Sequence, residues 1–339
     1  MSLCRFFKSG VIILLKYNIV VIGGGTAGMA AAIAAKENGI DKVLLLEREE
    51  SLGGTLNQCI HNGFGKKVLS SPVTGPEYAQ LLMDRINELE IEYKLNSMVL
   101  DLNKDKIVTY VNPDEGIVDI KGETIILANG SREKFTGNIN IATNKFAGIY
   151  TVGTAQRFVN IHGYLPGKEV VMVGTSDISL IIARRLVLEG AKIKAIVESS
   201  SNLKANREGI RAIVDQFNIP VQFSTIVTEV TGKERIEGVT LAKLNEKGEI
   251  IDGSCEKIHC DSLLLSVGWM PENDLAKKAN VEISKRTFGA KVNEFYETNR
   301  EGIYACGNTI HAYSFADDTT LEGFAAGRRA SEYLKNKIK

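Results

Sequence analysis

The chain has 339 residues, of which 44% are hydrophobic and 24% are charged. This composition is typical of a globular protein with room for two domains. Lysine plus arginine and aspartate plus glutamate both number 41, so there is no basic surplus to neutralise phosphates, and we expect no nucleic-acid partner. No stretch of the sequence predicts a transmembrane segment.

The N-terminus and the cysteines indicate the cellular location of the protein. Residues 1–15 have no assigned role, and the apolar run that follows Arg5 and Lys8 is closed at Lys16, which is too short for a signal peptide. The cysteines are scattered without a CxxC motif and indicate a reducing, cytoplasmic location; they are Cys4, Cys59, Cys255, Cys260 and Cys306. We expect Cys255 and Cys260 to be free thiols and Cys306 to be a small buried residue.

A first glycine-rich pattern lies in "YNIVVIGGGTAGMAAAIAAKENGIDKVLLLERE", which predicts a strand from Tyr17 to Ile22, a glycine turn, a helix and a second strand. Gly23, Gly25 and Gly28 form GxGxxG, and Glu47 follows 24 residues after Gly23. The glycines would allow a tight turn, the approach of a pyrophosphate to the helix N-terminus, and close helix packing. Glu47 would accept hydrogen bonds from ribose hydroxyls. Thr26, Ala27 and Arg48 are further predicted contacts with the bound dinucleotide.

A second copy of this architecture lies in "GKEVVMVGTSDISLIIARRLVLEGAKIKAIVE", where Glu198 again follows 24 residues after Gly174. Ser176 and Ser179 replace two glycines, and a side chain at Ser176 would crowd a pyrophosphate. Two interpretations stay open. Gly174, Ser176, Asp177 and Glu198 bind a dinucleotide, with NAD favoured because Glu198 repels a 2'-phosphate, or the scaffold persists with weak or absent binding.

Short alternating β runs follow each copy, in residues 92–130 and 219–273, and predict antiparallel meanders. The predicted fold class is therefore α/β, with two Rossmann-like, three-layer ββα dinucleotide-binding domains, each with an inserted antiparallel β-meander. We predict that one of these domains is discontinuous, formed by residues 16–148 and 262–339, and that the other is formed by residues 149–261.

On these motifs the chain resembles the FAD-dependent pyridine nucleotide-disulfide oxidoreductase superfamily, in the two-domain form typified by thioredoxin reductase. The resemblance runs from about Lys16 to the C-terminus and implies that GxGxxG and Glu47 bind FAD. It also implies that residues 16–148 and 262–339 form the FAD-binding domain and that residues 149–261 form an NAD(P)-binding-like domain. It also rests on "ETIILANG", "LLLSVGWMPEN" and "GIYACGNTIH". From these motifs it implies cofactor contacts by Ala128, Asn129, Gly130, Gly268, Gly307 and Asn308. Asn308 stands where the family has an aspartate, and its amide can still hydrogen-bond a hydroxyl.

The last helix, entered at Asp317 to Thr320, completes the resemblance. Its N-terminus, with Thr320 and Leu321, would approach the flavin, where the helix dipole would stabilise negative charge on the reduced ring. Because the chain ends after this helix, we expect no additional dimerisation domain.

A narrower resemblance is visible in "LGGTLNQCIHNGFG", "TGPEYAQLL", "GSREKFTG" and "AGIYTVGTAQRFVN". These stretches are similar to bacterial FAD-dependent oxidoreductases found alongside anaerobic glycerol-3-phosphate dehydrogenase-type flavoproteins, and more distantly to the α subunits of sarcosine oxidase and dye-linked proline dehydrogenase. This resemblance implies an electron-carrying subunit that works with a partner flavoprotein.

The segment "GGTLNQCIH" places Leu56 and His61 where a glutathione-reductase-like enzyme has its two redox cysteines, so we predict no internal disulfide. Cys59 and His61 are the candidate catalytic residues. The thiol would act as a thiolate of lowered pKa if the region opens a helix or His61 is charged, and His61 would shuttle a proton. The alternative is that both only pack against the cofactor. Gly54, Thr55 and Gln58 are further predicted cofactor contacts.

The leading hypothesis is an FAD-dependent oxidoreductase that moves hydride or electrons between a nicotinamide cofactor, with NADH favoured, and a partner flavoprotein or small acceptor. A second hypothesis is an FAD-binding electron-transfer or regulatory subunit of a glycerol-3-phosphate dehydrogenase-like or amine dehydrogenase-like complex, with a degenerate NAD site. A third is a disulfide reductase that uses Cys59 with an external thiol. No metal site is predicted, and oligomerisation is compatible with the sequence.

Overall fold

The computed structural model describes residues 14–69, 71–135, 146–312 and 315–338, so Cys4 and most of the predicted leader lie outside the described residues. Contacts divide the chain into two compact units. The first comprises the described residues up to Leu56, Asn62–Gly130 and those from Pro271 onward; the second comprises Asn57–His61 and Ser131–Met270. The predicted domain limits stay a prediction, because contact-based units need not coincide with ligand-binding domains.

The strands are, in chain order, β1 Leu15–Ile22, β2 Val43–Leu46, β3 Asn62–Phe64, β4 Val73–Thr74, β5 Glu92–Lys94, β6 Met98–Leu102, β7 Ile107–Asn112, β8 Gly116–Leu127, β9 Ser131–Glu133, β10 Ile149–Thr151, β11 Glu169–Val173, β12 Lys192–Glu198, β13 Val221–Phe223, β14 Thr225–Gly232, β15 Ile236–Lys243, β16 Glu256–His259, β17 Ser262–Leu265, β18 Trp269–Pro271 and β19 Ile303–Ala305. The α-helices are α1 Thr26–Glu37, α2 Gly75–Glu88, α3 Val152–Asn160, α4 Asp177–Leu188, α5 Glu208–Arg211, α6 Ile213–Gln216, α7 Asp274–Lys278 and α8 Ala316–Ile338, and 3-10 turns span Gly54–Gln58 and Gly307–Thr309.

The first unit is built on a sheet with the order β5-β2-β1-β8-β7-β6, in which β19 also pairs with β8. Strands β5, β2, β1, β8 and β19 are parallel to one another. Strand β7 pairs with β8 in antiparallel fashion, and β6 pairs with β7 in the same way. Strand β8 has 12 residues, so one long strand is both the last strand of the predicted meander and the central strand beside β1. The sequence pattern instead predicts short separate runs here.

Successive side chains of β1 pack alternately into two different layers of the first unit. Ile19 and Val21 are fully buried in a cluster with residues of α1, α2 and α8, whereas Val20 and Ile22 pack on the opposite face against Val108 and other residues of the meander. Successive strand residues point to opposite faces, so the apolar run of β1 predicts a strand covered on both sides. The covering layers are the helices and the meander.

The second unit repeats this layering. Its sheet is parallel throughout, with the order β10-β17-β11-β12-β13, and β14, β15 and β16 form a separate antiparallel sheet. Val170 and Met172 of β11 pack with α3 and α4, and Val171 packs with residues of β14 and β15. The predicted duplication of helix, parallel strand and meander is therefore present in both cores. Among the helices of the described ranges, none has the length and apolarity needed to cross a bilayer.

Two glycines bring α8 unusually close to α1. A Cβ atom on Gly323 would lie 2.2 Å from the carbonyl oxygen of Ala27, and one on Gly327 would lie 2.3 Å from that of Ala31. Backbone oxygens cannot move away as a flexible side chain can, so the helices approach this closely only because both residues lack a side chain.

We expect Gly327→Ala to lower the free energy of unfolding by about 1–3 kcal/mol, because the added methyl group overpacks the helix contact. Denaturant unfolding followed by circular dichroism checks this. Gly209→Ala is the matched control, since a Cβ there meets nothing within 4 Å and should be neutral or stabilising. Equal stability of the Gly327 variant and the wild type would show that the helices do not depend on the glycine.

Candidate functional site

The first glycine turn combines two structural glycines with one that borders open space. Gly23 has φ +107°, and a Cβ there would lie 2.4 Å from the carbonyl oxygen of Ala128; one on Gly28 would lie 1.7 Å from the oxygen of Gly23. A Cβ on Gly25 would meet no atom within 4 Å. Gly23 and Gly28 are therefore required by the fold, whereas Gly25 leaves space for a ligand to approach the backbone.

Helix α1 begins directly after Gly25, which provides no side-chain cap, and the first turn carries no acidic residue. The N–H groups of the first turn are therefore not capped by a side chain, and the helix end favours an anion such as a pyrophosphate. Other predicted contacts lie close by. Thr26 shares a 2.7 Å hydrogen bond with Thr319 of α8, and a Cβ on Gly54 would lie 3.1 Å from the Cα of Gly25.

Glu47 is 6% exposed and keeps part of its acceptor capacity. One carboxylate oxygen accepts the Gly24 N–H at 2.6 Å and the other accepts the Glu49 N–H at 2.9 Å. Since a carboxylate has about four lone-pair sites, two sites remain for hydroxyl donors such as those of a ribose. The neighbouring Arg48 is mostly exposed and lies 3.7 Å from the Glu49 carboxylate.

Two asparagines place buried acceptors at the carboxyl edge of adjacent parallel strands. The side-chain oxygens of Asn129 and Asn308 are buried and have no hydrogen-bond partner. Asn129 follows β8 and Asn308 follows β19, which pair in parallel register at Leu127 and Ala305. Buried acceptors are rarely left unsatisfied. These oxygens, the end of α1 and Glu47 together suit a long ligand rich in hydroxyls and carrying a pyrophosphate, and the residues present therefore fit FAD.

The start of α8 differs from the electrostatics that the sequence suggested. Asp317 and Asp318 lie in its first turn; Asp317 accepts the N–H groups of Gly65 and Lys67, and Asp318 pairs with the Lys67 ammonium. The negative charges of these two acids offset the positive potential of the helix N-terminus. Thr320 is fully buried and its hydroxyl accepts the Tyr78 hydroxyl at 3.0 Å. Leu321 is 44% exposed.

At the corresponding helix end in the second unit, the N-terminus of α4, a side chain of the protein already accepts one of the free N–H groups. The Ser176 hydroxyl caps α4 by accepting the Ser179 N–H at 3.3 Å and lies 2.8 Å from the Ser266 hydroxyl. Asp177 lies in the first turn and pairs with Arg207 at 2.7 Å. An anion at this helix end would meet a capped N–H and a buried carboxylate, which is less favourable than the end of α1.

Glu198 is buried, and each of its carboxylate oxygens accepts two hydrogen bonds. One oxygen accepts the N–H and hydroxyl of Thr175 at 3.2 and 2.8 Å, and the other accepts the N–H and hydroxyl of Ser200, both at 3.0 Å. Burial acts to raise the pKa of Glu198, but these hydrogen bonds outweigh it and lower the pKa below its ordinary value. The group is therefore ionised at neutral pH, with all four acceptor positions taken, whereas Glu47 has two to spare.

A cavity of about 600 Å³ nevertheless opens at the carboxyl ends of β11, β12 and β17. This volume is in the range of cofactor sites. Its polar lining includes Ser176, Glu198, Ser199, Lys204 and Ser266, and its apolar lining includes Val173, Val227 and Ile250. Gly174 also borders it, and the backbone N–H of Lys204 is held by the Thr175 hydroxyl at 2.9 Å. Gly268 is not among the lining residues and instead accepts the Lys134 N–H.

The segment around Cys59 belongs to the second unit and contacts α3 through amides. The Gln58 side chain donates to the side-chain oxygen of Gln156 at 3.0 Å and to the Gly153 carbonyl at 3.2 Å. Gln156 in turn donates to the Cys59 sulfur at 3.8 Å, and Asn160 donates to the Gln58 carbonyl at 2.8 Å. Gln156 and Asn160 were not predicted from the sequence, where their only signal is the i, i+4 spacing of two amides on a helix.

Burial raises the pKa of the Cys59 thiol to about 11, although the hydrogen bond from Gln156 acts to lower it. The expected low-pKa thiolate is therefore wrong for this structure, because loss of hydration outweighs the one weak donor. His61 is half-buried. Within the described residues the cysteines at 59, 255, 260 and 306 are free, and Cys255 is the exposed one, as expected for Cys255 and Cys260.

Residues 17–323 match the sequence pattern of the pyridine nucleotide-disulphide oxidoreductase family. Since the match covers most of the chain, the protein belongs to this family. The predicted fold class and oxidoreductase class, and the use of FAD and a nicotinamide nucleotide, are confirmed at the level of the family.

Named relatives and solved structures are similar over most of the chain. Hydrogen cyanide synthase subunit HcnB of Pseudomonas protegens is 22% identical across 87% of this chain and 66% of its own length. An opine oxidase subunit of Rhizobium meliloti is 23% identical across 86% of this chain and 58% of its own length. The chain thus spans less than two thirds of these relatives. T. acidophilum thioredoxin reductase superposes with a TM-score of 0.74, at 20% identity and over 96% of this chain and 99% of that chain, which shows a shared fold.

We expect Cys59 to react slowly with iodoacetamide at pH 8, because the thiolate is the nucleophile and the raised pKa of about 11 keeps the thiol protonated. Its rate should increase as the pH rises towards that value. Peptide mass spectrometry gives the rate for each cysteine, and the exposed Cys255 is the internal reference. Alkylation of Cys59 as fast as that of Cys255 at pH 8, in folded protein, would contradict the buried, neutral thiol.

Proposed function

We propose that the protein is an FAD-dependent oxidoreductase that transfers hydride or electrons between a nicotinamide nucleotide, with NADH favoured, and an external acceptor, without an internal redox disulfide. The external acceptor is a partner flavoprotein or a small molecule. The observation that carries the proposal is the cavity at the carboxyl ends of β11, β12 and β17, since ligands of open α/β sheets bind at that edge. The fit of the first unit to FAD and the family membership support it.

The cysteine positions support the absence of an internal disulfide step. By the resemblance, Leu56 and His61 stand where glutathione-reductase-like members have their redox pair, and the cysteine of this segment, Cys59, is a buried neutral thiol. A protonated thiol is a poor nucleophile for disulfide exchange. Bound FAD supplies the redox chemistry itself, while the protein supplies binding, orientation and electrostatics. In this proposal Cys59 packs, and His61 is the candidate for moving a proton.

The preference for NADH rests on Glu198. Its ionised carboxylate borders the cavity and would repel the additional phosphate of NADPH. Because its four acceptor positions are taken by Thr175 and Ser200, the carboxylate would act through its charge and not through hydrogen bonds to a ribose. Lys204 is the basic side chain of the lining, and its exposed ammonium can pair with a ligand phosphate.

A second candidate function is an FAD-binding electron-transfer or regulatory subunit of a larger complex, of the glycerol-3-phosphate dehydrogenase-like or amine dehydrogenase-like kind. The observation that favours it is the end of α4, where the Ser176 hydroxyl caps the helix and Asp177, paired with Arg207, adds a carboxylate to the first turn, so that a pyrophosphate is less favoured there. The names of the hydrogen cyanide synthase and opine oxidase relatives, each of which denotes one subunit of an enzyme, also favour it.

Anaerobic titration of the purified flavoprotein with NADH separates the two candidates. We expect the visible flavin absorption to bleach near one NADH per flavin, because the nucleotide reduces the flavin directly. Flavin that stays oxidised with both NADH and NADPH, while dithionite reduces it, would contradict the first function and favour the second. A protein that binds no FAD would overturn both.

We expect Lys204→Glu to raise the NADH concentration for half-maximal flavin reduction by about tenfold or more, since like charges a few ångströms apart repel by about 1–4 kcal/mol. Lys257→Glu makes the same charge change on β16, outside the cavity lining, and should leave the value unchanged. Stopped-flow reduction measures both, with dithionite as a check on the flavin. An equal effect of the two variants would mean that the cavity is not where NADH binds.

A further inference from the structure

The turn that carries Asn308 is held by a single carboxylate on α8. Glu322 accepts the Gly307 N–H at 2.9 Å and lies 3.0 Å from the Nε2 atom of His311. Gly307 precedes Asn308 and His311 follows it, so one side chain fixes the chain on both sides of the asparagine. Glu322 is only 16% exposed, which limits competition from water for these contacts.

A further contact fixes the turn from the strand side. The Thr309 hydroxyl accepts the Gly130 N–H at 2.9 Å, and Thr309 is fully buried. The Asn308 side-chain oxygen is left as a buried acceptor with no partner, although the atoms around it are hydrogen-bonded. A buried acceptor without a partner, in a turn held by these hydrogen bonds, calls for a donor from outside the chain.

The charged groups that face His311 are carboxylates of α8. His311 faces Glu322 and Asp318, both on α8, and its backbone forms a bridge with Phe288. Glu322 also faces Tyr296 and Cys306, and both are neutral at working pH because burial raises the pKa of each. The hydrogen bond to Glu322 raises the pKa of His311 above its ordinary value.

We propose that Glu322 is a positioning residue of the FAD site, which holds Gly307 and His311 so that the Asn308 oxygen is fixed to accept a hydrogen bond from a ribityl hydroxyl. The inference rests on the proposed function, since it requires FAD in the first unit. The ion pair between His311 and Glu322 exists only while His311 is protonated. It is complete below about pH 6.5 and is lost as the pH rises through the raised pKa of His311, so FAD should bind more weakly at higher pH.

Titration of the apoprotein with FAD, followed by flavin fluorescence from pH 6 to 9, tests this role without using turnover. We expect Glu322→Ala to raise the FAD dissociation constant about tenfold at pH 6.5, because it leaves the buried Gly307 N–H unsatisfied. Glu322→Gln can still accept that N–H, so binding at pH 6.5 should recover to within about threefold of the wild type, but its pH dependence should flatten. His311→Gln should flatten the pH dependence as well.

Glu332→Ala is the matched control, because Glu332 lies on the same helix, is 54% exposed and pairs with Arg329. It should bind FAD as the wild type does at every pH. Wild-type affinity and an unchanged pH profile in Glu322→Ala would overturn the positioning role while leaving the flavoprotein intact. Equal weakening by Ala and Gln with no change in pH profile would also overturn it. A wild type that binds no FAD would instead show that the proposed function fails.

Discussion

The first unit depends on the close approach of α1 to β1, where Gly28 packs against the carbonyl oxygen of Gly23 with no space for a Cβ. This contact sets the position of the α1 N-terminus in front of the open space at Gly25. Helix α8 then packs on α1 through Gly323 and Gly327. Because α8 also carries Glu322, the same packing brings a carboxylate to the turn at Asn308. The anion position and the buried acceptor are thus linked through glycine contacts between helices.

The two copies of this fold show how the same backbone supports different chemistry. In the first, an uncapped helix and a half-engaged Glu47 leave donors and acceptors available to a ligand. In the second, Ser176 caps its own helix and Glu198 is fully engaged by neighbouring groups. Fold alone does not determine function, and here the difference lies in which polar groups the protein has already satisfied. The cavity beside Glu198 keeps nucleotide binding by the second copy as the favoured proposal.

The sequence was most informative where the signal is local. The glycine spacing, the apolar strands and the acidic residue at the end of each second strand predicted both nucleotide-binding folds, because steric and periodic constraints are written within about thirty residues. Long-range consequences were harder to predict. The raised pKa of Cys59 follows from burial among residues about a hundred positions away, and the pairing of Glu322 with Gly307 follows from how α8 lies on the turn. No sequence periodicity encodes either contact.

In the proposed function the flavin is the sole redox centre, and no cysteine pair stores electrons. Anaerobic reductive titration of the FAD-loaded protein with dithionite measures this directly by counting electrons. An enzyme that holds only a flavin takes up two electrons per FAD, whereas a redox disulfide would take up two more. We expect two electrons per FAD, with unchanged uptake in Cys59→Ser. Uptake of four electrons per FAD in the wild type would contradict it.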